Sequence, residues 1–266
     1  MIPFNQRLHD EINRTKSHLC VGIDITPEAL KVSSLDIDAL IDHSKKIISA
    51  TKDLAVAYKP NLGFFERFGS QGFQWLEEII DFIGQDKIII GDAKRSDIGN
   101  TAEQYAKALF DHFKFDAVTL NPYMGEDSIK PFLNHLGKGV FILCKTSNPS
   151  AGTLQDQYSK GWTIFEHTTN MAFELNVNNN VGLVVGATVP DDIAKVRKIA
   201  QNLPLLIPGI GAQGGAFKDS FLIGNENGDA IINVSRSINF AGDLSSNDIR
   251  KSAQYYVNQM REFVDE

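Results

Sequence analysis

No apolar run in these 266 residues approaches the ~18 that a membrane span needs. The first 18 residues, where a secretory leader would lie, are polar and amphipathic without an apolar core. The expectation is a protein that stays off the membrane, is not secreted and works in the cytoplasm. Cysteine is scarce: Cys20 and Cys144 each sit inside an apolar run, which suits reduced, buried small hydrophobes and leaves no disulfide framework. An excess of positive charge is missing too. A net charge of -7 gives no general attraction to nucleic acid or to an anionic surface, so an anionic ligand must be caught by a local group of cations. The histidines (His9, His18, His43, His112, His135, His167) lack metal-ligand spacing, and no Ser-His-Asp set is legible. No repeat, low-complexity tract or linker divides the chain, which reads as a single domain over residues 1–266.

Short apolar runs that suit buried parallel strands recur at 18–24, 54–59, 87–92, 116–121, 139–145, 181–186, 203–208 and 229–234. Between them lie helical patterns at 37–52, 72–83, 101–113, 163–175 and 191–201, with a last one at 246–263. The stretch 146–180 is rich in Gly, Ser and Asn and reads as a loop plus a helix. Eight strand-helix units in this length fit an α/β fold of the (β/α)8 TIM-barrel type better than a doubly wound sheet. Ligands of such barrels sit at the C-terminal ends of the strands. Here those ends carry Asp24, Lys59, Asp92 with Lys94, Asn121, Thr146 with Ser147, Thr188, a glycine loop, and Ser235 with Arg236.

Two of these positions carry chemistry. Residues two apart on a strand share a face, so Asp92 and Lys94 can enter one cavity, with Lys59 from the neighbouring strand beside them and Asp97 following at the turn into a helix. Opposite charge on both sides favours the ammonium form and makes Lys94 a cationic acid, not a Schiff-base nucleophile. The glycine loop 208–215 contains Gly-x-Gly-x-x-Gly. A dinucleotide fold would want that signature after an early strand, with an acid ending the next one, but here it comes late. Loops after the seventh and eighth strands of a barrel cradle phosphate, and Arg236 can add a bidentate contact there, so the expected ligand is a phosphate ester.

The chain resembles the orotidine 5'-monophosphate decarboxylase family, in its longer bacterial form. The likeness rests on Gly22 to Asp24, Tyr58 to Asn61, Asp92 to Ile98 with Thr101, Thr146 to Pro149, Val185 to Thr188, Pro208 to Gly215 and Val234 to Arg236. The resemblance implies decarboxylation of orotidine 5'-monophosphate to uridine 5'-monophosphate, a small-molecule substrate, and neither metal nor organic cofactor. It implies that Lys94 protonates C6 and that Asp92 faces the substrate carboxylate, with Lys59 and Asp97 completing the array. Asp24 then holds the ribose, Ser147 meets the pyrimidine edge, and Gly211, Gln213 and Arg236 hold the phosphate. It further implies a homodimer in which Asp97 and Thr101 reach the partner's site. Two other readings stay open at this stage: a magnesium-dependent sugar-phosphate decarboxylase or aldolase with the same Asp-x-Lys-x-x-Asp, and a non-catalytic barrel that binds pyrimidine nucleotides.

Overall fold

The computed structural model describes residues 1–33, 36–187, 190–210 and 214–265. Eight parallel strands form a closed barrel: β1 (Leu19–Ile23), β2 (Ala57–Pro60), β3 (Ile88–Arg95), β4 (Ala117–Leu120), β5 (Gly139–Lys145), β6 (Val181–Val185), β7 (Leu205–Pro208) and β8 (Ala230–Val234). Each pairs with the next in chain order, and Leu19 opposite Ile232 closes the ring. All eight strands lie where the apolar runs predict them, and the fold is the expected (β/α)8 barrel.

An N-terminal helix α1 (Phe4–Thr15) precedes the barrel. The outer layer is α2 (Ile37–Thr51), α3 (Gly69–Ile83), α4 (Gly99–Lys107), α5 (Lys130–Leu133), α6 (Ile164–Leu175), α7 (Pro190–Ile199), α8 (Gly214–Gly224) and α9 (Ser246–Asp265). Local chemistry sets several of these limits. Asp36 caps α2 by accepting from the Ala39 N–H at 3.0 Å, and Leu40, Ser44, Ile47, Ile48 and Thr51 turn one face inward. A reciprocal capping box between Thr163 and Glu166 starts α6. The helix expected over 101–113 is realised as α4 followed by a π-helical turn, Ala108–His112. The 146–180 stretch holds more than a loop and a helix: a short antiparallel hairpin pairs Tyr158 with Thr163 and Ser159 with Trp162.

The alternation of side chains along the strands divides the barrel interior into two levels. Cys20, Ala57, Ile88, Ile90, Ala117, Phe141, Val184, Leu206 and Ile231 supply at least one apolar residue from every strand, and Phe4, Leu8 and Ile12 of α1 pack onto them. The lower end is thereby plugged. Two residues further along several of the same strands the inward positions become polar, at Lys59, Asp92, Thr119 and Asn233. A second, larger apolar cluster fills the space between strands and outer helices. Polar side chains above an apolar floor form the mouth at the strands' C-terminal ends.

Candidate active site

At the centre of the mouth is the Asp92 carboxylate, which is buried and accepts three hydrogen bonds. Lys59 Nζ donates to its Oδ2 at 2.7 Å, while Lys94 Nζ and Thr119 Oγ1 donate to its Oδ1 at 2.6 and 2.9 Å. Burial alone would raise the Asp92 pKa, but the two ammonium groups outweigh it and hold the carboxyl well below its usual range. Burial likewise pulls the Lys59 amine down, yet Asp92 first and Asp24 next carry it above its ordinary value. The buried Lys59–Asp92 pair is therefore ionised, with the Lys94 amine on the carboxylate's other oxygen.

Lys94 reaches this group through an irregularity. The pairing of β3 with β4 shifts between Gly91 and Arg95, and Lys94 takes a left-handed backbone with φ of 48°. Its N–H donates to Thr119 Oγ1 at 3.0 Å, so one threonine hydroxyl fixes both the main chain of Lys94 and the carboxylate it faces. The side chain of Lys94 is 47% exposed where that of Lys59 is 5% exposed, so Lys94 is the more open of the two ammonium groups. Non-glycine residues in this conformation are uncommon, and strain of this kind persists where the surroundings enforce it.

Two adjoining cavities open beside the array, and both are lined by Lys59, Asp92 and Pro208. The larger, about 630 Å³, reaches Asp24, Asn61, Gly209, Asn233, Ser235 and Arg236. Asp24 is among its lining residues, and its Oδ1 is buried with no hydrogen-bond partner among the described residues. The smaller, about 370 Å³, runs over Lys94, Thr119, Leu143, Thr146, Ser147, Asn148, Val184 and Leu206. Ser147 approaches closely because residue 186 is glycine: a Cβ there would stand 2.9 Å from the Ser147 Cβ. The mouth is thus a polar lobe joined to a smaller, more apolar lobe, with the charged group at the junction.

Of the residues expected in the site, Lys59, Asp92, Lys94, Asp24, Ser147 and Arg236 line these cavities. Asp97 and Thr101 line neither. Asp97 Oδ1 accepts from the following Ile98 N–H at 2.8 Å, and Thr101 is exposed on the first turns of α4. Gly211, Gln213 and Thr188 lie outside the described residues. Sequence reasoning missed Thr119, although its place between Ala117 and Asn121 on an alternating strand marks it as inward-facing. Cys20 and Cys144 are buried and unpaired, as expected. Burial pushes the Cys20 thiol up to about 12, so it serves as a weak donor to Asn233 Oδ1 at 3.7 Å.

Comparison with known proteins finds that residues 17–247 match the model of the orotidine 5'-phosphate decarboxylase / HUMPS family. An orotidine 5'-phosphate decarboxylase of Dehalococcoides mccartyi is 40% identical over 267 residues, covering 98% of this chain and 97% of that protein. One from Halorubrum lacusprofundi is 43% identical over 253 residues, covering 91% of this chain and 90% of its own. Among solved structures, Leishmania donovani OMP decarboxylase superposes with a TM-score of 0.88 at 36% identity, with full coverage of both chains.

Proposed function

The chain belongs to the orotidine 5'-phosphate decarboxylase family, and from that premise we propose that its mouth turns orotidine 5'-monophosphate into uridine 5'-monophosphate, with Lys94 as proton donor. The reaction is a step of pyrimidine biosynthesis. One observation carries the assignment of roles: an exposed ammonium and a buried one share a single carboxylate at the junction of the two lobes. The polar lobe suits the ribose, through Asp24, and the phosphate, through Arg236. The smaller, more apolar lobe suits the pyrimidine, its edge toward Ser147 and its C6 toward Lys94.

Cleavage of the C6 carboxylate bond releases carbon dioxide and leaves the bonding pair in an in-plane orbital that the ring cannot delocalise. A proton from Lys94 then completes uridine 5'-monophosphate. An ammonium about 4 Å from that pair, at an effective dielectric near 20, contributes on the order of 4 kcal/mol, while enzymes lower barriers by about 8–23 kcal/mol. Lys94 is one contributor among several. The rest is assigned to a preorganised site in which Thr119 and Lys59 already hold Asp92, and to phosphate and ribose binding energy that fixes the ring against the array.

The homodimer belongs to this proposal. Exposed Ile98 and Tyr105 follow β3, and exposed Tyr123 and Met124 follow the adjacent β4, giving an apolar rim beside Asp97 and Thr101 that suits a second copy. In that arrangement Asp97 and Thr101 serve the partner's site. Among the described residues no helix is long and apolar enough to cross a membrane. Two unpaired cysteines favour a reducing compartment, the cytoplasm. Following the loss of orotidine 5'-monophosphate absorbance with EDTA present tests the activity. Undiminished turnover is the expected result. Turnover abolished by EDTA points to a magnesium-dependent relative, and tight binding without turnover to a non-catalytic barrel.

A further inference from the structure

The end of β5 is clasped to the far end of the loop that follows it by two neighbouring polar pairs. The Gln155 amide meets Thr146 with both ends: Oε1 accepts from the Thr146 N–H at 2.9 Å, and Nε2 donates to Thr146 Oγ1 at 2.8 Å. The single hydroxyl proton of Thr146 goes to Asn148 Oδ1 at 2.6 Å, and Asn148 Nδ2 donates to Ser150 Oγ at 3.1 Å. Because that proton is committed, Thr146 Oγ1 can only accept from Gln155, and the network has one consistent direction. Beside it, the buried Lys145 Nζ donates to Asp156 Oδ1, lies 3.8 Å from Asp192 Oδ2 and stands over the Phe165 ring, 5.4 Å from its centroid.

The two pairs have separate effects. Lys145 fastens the base of the loop to α6 through Phe165 and to α7 through Asp192, and does not depend on Gln155. Among the described residues the Gln155 side chain hydrogen-bonds only Thr146, at the main chain and the hydroxyl, and so fixes the torsions that aim Thr146, Ser147 and Asn148 into the smaller lobe. Ser147 and Asn148 are exposed, Ser147 resting against Gly186 and Asn148 held by its bonds to Thr146 and Ser150, so their aim depends on the Thr146 main chain. We propose that Gln155 is a positioning residue for pyrimidine recognition, presetting the Thr146 to Asn148 edge before the base arrives. The inference rests on the assignment of the smaller lobe to the pyrimidine, made above.

Calorimetric titration of the full chain with uridine 5'-monophosphate and with ribose 5-phosphate, which reaches the larger lobe alone, separates the possibilities. Gln155→Ala is expected to weaken uridine 5'-monophosphate about tenfold, the cost of ordering the Thr146 to Asn148 edge on binding, with ribose 5-phosphate changed by less than about twofold. The value of kcat/KM for orotidine 5'-monophosphate should fall by a similar factor. Gln155→Glu keeps the acceptor for the Thr146 N–H and loses the donor, so its effect should be intermediate. Unchanged nucleotide affinity in Gln155→Ala overturns the inference, as does equal weakening of both ligands, which marks a merely structural role. Ser147→Ala tests the premise: it should weaken the nucleotide alone. An unchanged nucleotide affinity there overturns the seat of the pyrimidine, and the inference with it.

Discussion

Asp92 joins Lys59, Lys94 and Thr119, and each removal has a different consequence. Lys94→Ala takes away the exposed ammonium and leaves the buried Lys59–Asp92 pair intact. Its kcat should fall by at least about a hundredfold, the lower end for a lost general acid, while uridine 5'-monophosphate still binds. Near-normal turnover in that variant would refute the proton-donor role. Asp92→Asn is nearly isosteric but strands two positive charges, one of them buried. Breaking a buried pair in this way costs about 3–5 kcal/mol, so chemical denaturation should show a loss of about that size in addition to the loss of turnover. The residues at this scale were legible in the sequence to the extent that their spacing mattered. Asp92 and Lys94 stand two apart at a strand end, and Lys59 ends the neighbouring strand. The bulge that rotates Lys94 into place was not legible, because it is a property of β3 against β4, and neither was the hydroxyl of Thr119 that enforces it. Gln155 was equally hidden, since its partner lies nine residues earlier across a loop.

Among the elements, α1 shows how a pattern can be seen and its destination missed. Phe4, Leu8 and Ile12 recur every four residues on an otherwise polar segment, which reads as amphipathic, but nothing local says that the stripe plugs the lower end of a barrel. The expected strand positions held because a buried parallel strand declares itself by an unbroken apolar run. The hairpin within 146–180 was missed for the opposite reason: its strands are two residues long. Its turn is marked only by Lys160 and Gly161, both at positive φ (51° and 87°), the geometry that tight hairpins favour. The plug and the mouth occupy opposite ends of the barrel, so they should separate experimentally. Leu8 is fully buried in the lower layer, and Leu8→Ala should lower the unfolding free energy by about 2–5 kcal/mol while KM and kcat of the folded enzyme stay near wild type. A stable variant with impaired catalysis would show that the helix acts on the site and not on the barrel floor.

Across the whole molecule, the charge balance and the titration of a few buried groups set where the fold is comfortable. The chain carries a net charge of -7, and the mouth collects Lys59, Lys94 and Arg236, so the anionic substrate is drawn by a local exception to the overall charge. Two histidines that line neither cavity shape the response to mild acid. His18, with Nδ1 2.8 Å from the Ala230 carbonyl and its ring edge on Phe221, is pulled below its ordinary pKa by burial. His43, with Nε2 2.6 Å from the Asn239 carbonyl, is lowered for the same reason. Both are neutral in the fold at pH values where the unfolded chain begins to bind protons. The unfolded state therefore holds more protons once the pH drops below about 6.5, and stability is lost as the pH falls, by up to about 1.4 kcal/mol per unit for each histidine until its folded pKa is reached. Asp92, Asp53 and Glu166, whose pKa values are also lowered in the fold, add their losses only in the more acidic range where unfolded carboxylates take up protons. Urea unfolding should accordingly have a lower midpoint at pH 5.5 than at pH 7.5, before any carboxylate contributes. His18→Asn, which places an amide N–H near the position of Nδ1 facing the Ala230 carbonyl but cannot titrate, should reduce that difference. Identical midpoints at the two pH values in the wild type would show that neither histidine is held neutral by the fold.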